Sequence, residues 1–284
     1  MVKSPLNYMG GKYKLLPQIL PLFPKKIRTF VDVFAGGGNV GINVSSDYLI
    51  LNDNLIHLIE LYRFIRKNKK NDIIYYIENK IKKLSLTQSN LEGYLELRDQ
   101  YNKYKKPLDL FILSAFSFNH QIRFNNSHQF NTPFGKDRSS FNQTMKNNLL
   151  KFIDCLQKEN VEIFNLSFEL LNYDSLNNND LVYCDPPYLI TTGTYNDGKR
   201  GFKGWGEDEE RQLLELLNSL NKRNVRFALS NVLEHKGKEN ELIKEWLLEN
   251  KYKLHDLNHN YNNSSYNTRK NGKFKSREVL ITNY

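Results

Sequence analysis

The residues that most directly promise chemistry are Asp185-Pro186-Pro187-Tyr188, which follow the apolar run Leu181-Val182-Tyr183-Cys184. Two consecutive prolines can neither extend a strand nor enter a helix interior, so they fix a rigid turn. In an open α/β sheet, the carboxyl end of a strand is where ligands sit. A carboxylate and a neighbouring carbonyl, held rigidly, can accept both hydrogens of an exocyclic aromatic amine such as adenine N6. That favours the pyramidal, electron-rich form of the amine, which can attack an electrophilic methyl group. Asp185 and the Pro186 carbonyl are two such acceptors. Tyr188 adds an aromatic face on which an extruded base can stack.

A second cluster is Gly36-Gly37-Gly38, placed directly after the β-rich run Thr29 to Phe34. A helix is expected from about Asn39, then a buried strand from Tyr48 to Asp53. This strand, turn, helix, strand unit opens a doubly wound α/β sheet. Gly36, Gly38 and Gly41 also satisfy G-x-G-x-x-G with Asp53 downstream, which fits a nicotinamide dinucleotide site. A dehydrogenase would still need a hydride-acceptor site, and it would leave Asp185-Pro186-Pro187-Tyr188 unexplained.

The elements that must position these groups follow from periodicity. Apolar residues at helical spacing predict helices in LIHLIELYRFIRKN and DIIYYIENKIKKL, a third capped by Ser89 with Glu92, and a very apolar fourth opened by Pro107. Gln121 to Phe141 is polar and aromatic without periodicity, and reads as a long functional loop or hairpin. A helix from Gln143 to Lys158 leads to strand-like VEIFN. Beyond the Asp185 turn come a helix over 208–222, a strand over 225–231, a helix near 240–249 and two closing β-rich segments from Tyr252 and Arg277. The organisation is an α/β sheet (1–60 and 160–284) interrupted by a mainly helical insertion (61–159).

The 284 residues carry a formal net charge of +10, with 39% hydrophobic and 13% aromatic residues. A real core is expected, and the charge fits a polyanionic partner, although a merely basic soluble protein has the same composition. Cys155 and Cys184 lack C-x-x-C spacing and read as small buried hydrophobes in a reducing compartment. The six histidines show no ligand spacing, so no metal is expected. The start lacks a signal-like apolar run, and no stretch is long enough to span a bilayer, so a cytoplasmic protein is expected.

Taken in order, these motifs resemble the Dam-like (alpha-class) DNA adenine N6-methyltransferases over essentially the whole chain. The resemblance implies a Rossmann-like S-adenosylmethionine-dependent methyltransferase sheet with an inserted helical DNA-recognition domain. It implies that Tyr8, Gly10, Gly11 and Lys12 hold the amino-acid end of S-adenosylmethionine, with Lys12 on its carboxylate. Asp32, Phe34, Gly36 and Gly38 would form the cofactor loop, Asp53 would take the ribose hydroxyls, and Asp185 would border both ligands. Where relatives carry an Asp after the third strand, this chain has Ser167-Phe168. Either Ser167 accepts the adenine's bond or Phe168 stacks on its ring.

Arg123-x-Asn125 with Phe130-Asn131-Thr132-Pro133-Phe134-Gly135 resembles the family's DNA-entering hairpin. There Arg123 suits guanine and Asn125 suits adenine, with Asn131 and Pro133 beside them. Lys199 in the loop after the catalytic turn, and Arg269 and Lys273 in the tail loop, are further DNA contacts. Trp205 either belongs to a lid over the base or anchors the next helix. The basic run with Tyr62, Arg63, Arg66, Lys67, Lys69 and Lys70 either touches phosphate or is a solvated helix end. Segments after the catalytic turn also resemble modification methylases of the FokI type (type IIS). That resemblance implies an asymmetric site methylated on one strand. Double-stranded DNA as substrate, a cognate restriction endonuclease encoded nearby and a monomeric enzyme are further expectations. Methylation at cytosine N4, or a catalytically silent DNA-binding relative, are the competing readings.

Overall fold

Short β-rich runs punctuated by glycine and asparagine turns become strands in the computed structural model, which describes residues 1–191, 204–258 and 276–284. They are β1 (Thr29–Asp32), β2 (Tyr48–Asn52), β3 (Val161–Phe164), β4 (Leu181–Cys184), β5 (Arg226–His235), β6 (Lys238–Glu239), β7 (Lys253–Leu257) and β8 (Arg277–Thr282). The sheet order is β3-β2-β1-β4-β5-β8-β7, with β6 folded back on β5. Neighbours from β3 through β5 pair in parallel, whereas β8 is antiparallel to both β5 and β7. The chain leaves β1 toward β2 on one side and later enters β4 on the other. That reversal opens a crevice at the carboxyl ends of β1 and β4, the switch point of a Rossmann-like sheet.

The central strands β1 and β4 are buried throughout because both faces are covered. Successive side chains serve opposite faces: Phe30, Leu181 and Tyr183 join one core, and Val31, Val182 and Cys184 the other. The helices are α1 (Leu16–Ile19), α2 (Ile56–Lys67), α3 (Lys70–Lys83), α4 (Leu91–Tyr104), α5 (Pro107–Phe116), α6 (Gln143–Leu156), α7 (Glu207–Lys222) and α8 (Glu241–Asn250). Residues of α7 and α8 pack on the second face. Helices α2 to α6 cover the first, sharing one continuous core with the sheet. Helix α5 is buried from Leu108 to Phe116 and is flanked by α2, α3 and α4.

Three expectations are corrected. The helix expected from Asn39 is a single 3₁₀ turn, Gly41–Asn43. The Asp32 carboxylate captures the Gly41 amide at 3.0 Å, and the chain must re-enter the sheet at Tyr48, which leaves no room for a longer helix. The cap of α4 is Asn90 rather than Ser89. Its Oδ1 accepts the Gly93 amide while its Nδ2 donates to the Leu84 and Ser85 carbonyls, two tasks that a serine cannot combine. Strand β5 runs past Asn231 to His235, because Lys236 and Gly237 both take positive φ and close a tight hairpin with β6. Among the described residues, no helix is long and apolar enough to cross a membrane.

Candidate active site

Asp32 ends β1, Asp185 follows β4 directly, and the register places Asp32 opposite Tyr183. Both carboxylates therefore open on the crevice between β1 and β4. A cavity of about 370 Å³ occupies it. Tyr8, Gly10, Gly11, Lys12, Asp32, Phe34, Gly36, Asp53, Phe168 and Asp185 line this cavity, together with Pro186, Pro187 and Tyr188. Gly38 stands apart from that wall. Its amide returns to the Ala35 carbonyl, and a β-carbon there would face Phe152 of α6.

The glycine loop is held from three sides. Asp53 Oδ2 accepts the Gly36 amide at 2.8 Å, and its Oδ1 accepts the Leu55 amide. The Tyr62 hydroxyl, from the insertion, donates to the Gly36 carbonyl at 2.6 Å. Gly36 has φ +48°, and a β-carbon there would lie 2.9 Å from the Tyr8 ring, so this position requires glycine. Asn52 ties the strand tips together, donating to the Val33 and Leu166 carbonyls and accepting the Leu166 amide. The sequence placed Tyr62 only in a basic run and Asn52 only in a strand, and neither was linked to the glycine loop.

An aromatic wall closes one side. Phe34, Phe168 and Trp205 lie 5.5–5.7 Å apart, centroid to centroid. Trp205 Nε1 donates to Glu210 Oε2 at 2.6 Å, so it anchors α7 and lines the cavity at once. The Ser167 hydroxyl donates to Glu169, whose side chain also borders the cavity.

The catalytic turn is more crowded than its motif reveals. Lys12 Nζ lies 2.8 Å from Asp185 Oδ2 and 3.4 Å from Glu278 Oε1, and it donates to the Gly10 carbonyl. The Tyr188 hydroxyl lies 2.8 Å from Asp185 Oδ1 and 3.3 Å from Glu278 Oε1, and Lys12 sits 5.0 Å from the Tyr188 ring centre. Burial alone would lower the Lys12 pKa, but the charges of Asp185 and Glu278 outweigh it and leave the ammonium raised. Burial raises the Asp185 carboxyl against the opposing pull of Lys12. Glu278, on β8, was missed in the sequence because it reads as one polar residue in a closing strand.

Asp32 tests whether a cationic cofactor fits. Its Oδ1 is buried without a hydrogen-bond partner, and burial pushes its pKa up to about 8. A carboxylate in that state on a cavity wall suits a ligand that brings positive charge, as an ammonium and a sulfonium do. The residues present fit S-adenosylmethionine.

The 121–134 segment forms the expected hairpin, pinned by bridges between Ser117 and Phe134 and between Phe124 and Phe130. Arg123 and Asn125 bond within the hairpin itself, while Asn126, Ser127 and His128 are exposed. The Arg123 guanidinium donates to Asn131 Oδ1 and to the Asn131 carbonyl, and Asn125 Oδ1 accepts the Ser127 and Gln129 amides. Pro133 is exposed, and its carbonyl accepts the Phe118 amide. Of the basic run, Lys67 and Lys69 are exposed, Lys70 pairs with Asp154, and Arg63 and Arg66 are half-buried. The two arginines cap carbonyls of Ile163, Leu156, Lys158 and Glu159. Lys199, Arg269 and Lys273 lie outside the described residues.

A sequence profile of the D12 class N6 adenine-specific DNA methyltransferases matches residues 8–263. The chain is 53% identical over its whole length to the type II methyltransferase M.FokI of Planomicrobium okeanokoites, of which it covers 43%. It is 50% identical to the modification methylase StsI of Streptococcus sanguinis, again over all of this chain and 43% of the relative. It is 28% identical to the DNA adenine methylase of Escherichia coli (strain K12), over 80% of this chain and 79% of that one. The chain thus spans less than half the length of the first two relatives. With the glycine loop, the Asp185 turn and the hairpin in one order and around one crevice, the chain belongs to the D12 class N6 adenine-specific DNA methyltransferases.

Proposed function

We propose that this chain transfers a methyl group from S-adenosylmethionine to the exocyclic N6 of an adenine flipped out of duplex DNA. The observation that supports it best is the shared cavity, in which the Asp185-Pro186-Pro187-Tyr188 turn and the glycine loop face the same space. S-adenosylmethionine supplies an electrophilic methyl group on sulfur. Tyr8, Gly10, Gly11 and Gly36 would approach it closely, Asp32 would meet its positive charge, Asp53 would accept from its ribose, and Phe168 with Trp205 would flank its adenine. Asp185 and the Pro186 carbonyl would accept the two hydrogens of N6, and Tyr188 would stack on the target base. The amine itself attacks, so no covalent enzyme intermediate is needed.

Residues 61–159 would form the DNA-reading part, with Arg123, Asn125, Asn131 and Pro133 on the hairpin and Lys199, Arg269 and Lys273 as phosphate contacts. Reading bases with Arg123 or Asn125 requires them to exchange their present partners for base edges. One cavity and one hairpin suffice for the reaction, so a monomer in the DNA-containing compartment is the proposed working unit. Its relatives' names, type II methyltransferase and modification methylase, support a role as the protecting partner of a restriction endonuclease.

The test is transfer of labelled methyl from S-adenosylmethionine to unmethylated genomic DNA, followed by nucleoside analysis and mapping. N6-methyladenine at one short motif is the expected product. N4-methylcytosine would move the substrate, and no transfer to any DNA would overturn the proposal.

A further inference from the structure

Asp185 faces a conflict that its motif does not disclose. To accept a hydrogen from the target amine it must turn a lone pair toward it, and two of its roughly four lone-pair sites, one on each oxygen, are already taken. Lys12 approaches Oδ2 and the Tyr188 hydroxyl donates to Oδ1, each at 2.8 Å. These same two donors share a second acceptor. Glu278 Oε1 lies 3.4 Å from the Lys12 ammonium and 3.3 Å from the Tyr188 hydroxyl. Glu278 comes from β8, opposite Val232, beside an irregularity in the β5 register between Val232 and Glu234. Such bulges often re-aim a side chain next to an active site. The side chains of Lys12 and Glu278 are 4% and 5% exposed, so water cannot replace either partner.

We propose that Glu278 is a positioning residue that takes over Lys12 and the Tyr188 hydroxyl when the amine arrives, leaving Asp185 to accept an N6 hydrogen. Three buried groups then share two negative charges and one positive charge. Without the Glu278 charge, Lys12 and Asp185 would form a closed, self-satisfied pair that the amine must break. With it, the ammonium has somewhere else to go at little cost in desolvation. Glu278 touches neither cofactor nor base in this scheme and acts through Lys12 and Tyr188.

This inference rests on the proposed methyl transfer, and its test separates the two. Single-turnover transfer to unmethylated DNA is measured for the wild-type chain, Glu278→Gln and Glu278→Asp, alongside the KM for S-adenosylmethionine and the affinity for duplex. Glu278→Gln is expected to slow the transfer step about ten- to a hundredfold, as small misplacements of reacting groups do, with cofactor KM and duplex affinity nearly unchanged. Glu278→Asp, which keeps the charge on a shorter stem, is expected to recover part of the rate. If Glu278→Gln does not fold, a rate loss at constant KM in Glu278→Asp carries the same support. A full transfer rate in Glu278→Gln would overturn the assignment, as would a loss confined to cofactor binding. An inactive wild-type chain would instead sink the methyl-transfer reading, and the role of Glu278 with it.

Discussion

The catalytic corner and the 121–134 hairpin are both rich in polar groups, but they treat them in opposite ways. The corner draws Lys12, Asp32, Asp185 and Glu278 from four separate segments, and leaves them in tension. Two carboxylates compete for one ammonium, and Asp32 Oδ1 has no hydrogen-bond partner. The hairpin pairs Arg123 with Asn131 and Asn125 with its own turn, and Tyr94, Asn102 and Lys105 of α4 and its end hold its main chain, with Thr132 Oγ1 left buried without a partner. Buried charges that compete for partners on a cavity wall suit a place prepared for a ligand. Satisfied local polarity marks a part that is folded in advance and must exchange bonds to read anything.

Substitutions can break or sharpen this contrast. The largest effect is expected from Asp185→Ala. Removing the acceptor aimed at the reacting amine should lower methyl transfer at least about a thousandfold, while duplex affinity in a gel-shift titration stays close to wild type. Transfer that survives the change would deny Asp185 its role. Next comes Gly36→Ala, which forces a β-carbon into positive φ against the Tyr8 ring. Strain of about 1–3 kcal/mol is expected to weaken S-adenosylmethionine binding about tenfold or more, measured by calorimetry, with DNA affinity intact.

A smaller effect, confined to the other region, is expected from Asn125→Ala. It removes the acceptor of two turn amides, each worth about 1 kcal/mol, and should loosen the hairpin and lower specific duplex affinity severalfold. Cofactor affinity should not change; if it does, the two regions are not separable. The last effect is a pH dependence. Below about pH 8 the free protein holds a proton on Asp32, and a cationic ligand favours the carboxylate. Binding should therefore release a proton, so cofactor affinity rises toward about pH 8 and levels off above it, by at most about tenfold per pH unit. Lys12, Asp53 and Asp185 face the same space, and the two aspartates are also raised by burial, so Asp32→Asn should remove most of the slope rather than all of it. An unchanged slope in Asp32→Asn would assign the proton elsewhere.

Much of the molecule was legible before any coordinates. The strands at 29–32, 48–52 and 181–184 and the helices opened by Ile56, Pro107 and Gln143 lie where apolar periodicity places them. Ten of the eleven expected cofactor residues line one cavity. Asp32, Phe34, Gly36, Asp53, Phe168 and Asp185 lie at or just past strand ends whose place the sheet rules dictate, and Tyr8 to Lys12 come in from the N-terminal segment. What failed to show were residues whose work depends on distant partners. Asn90 displaced Ser89 as a cap because of carbonyls at 84 and 85. Arg63 and Arg66 were drawn to carbonyls about a hundred residues away.

By itself, then, the sequence determined which segments are strands and helices, where the backbone must be glycine or proline, and which short motifs could bind and activate an amine. Those properties are local, set by side-chain type and spacing along a few turns of chain. Only the tertiary structure decided that Tyr62 would brace the glycine loop, that Trp205 would both anchor α7 and wall the cavity, and that Glu278 would compete with Asp185 for Lys12. Those pairings depend on the sheet order, which sets β8 two strands from β4 and thereby brings a residue 93 positions after Asp185 to the same ammonium. Electrostatic competition between buried charges is a property of distance in space, and distance along the chain does not encode it.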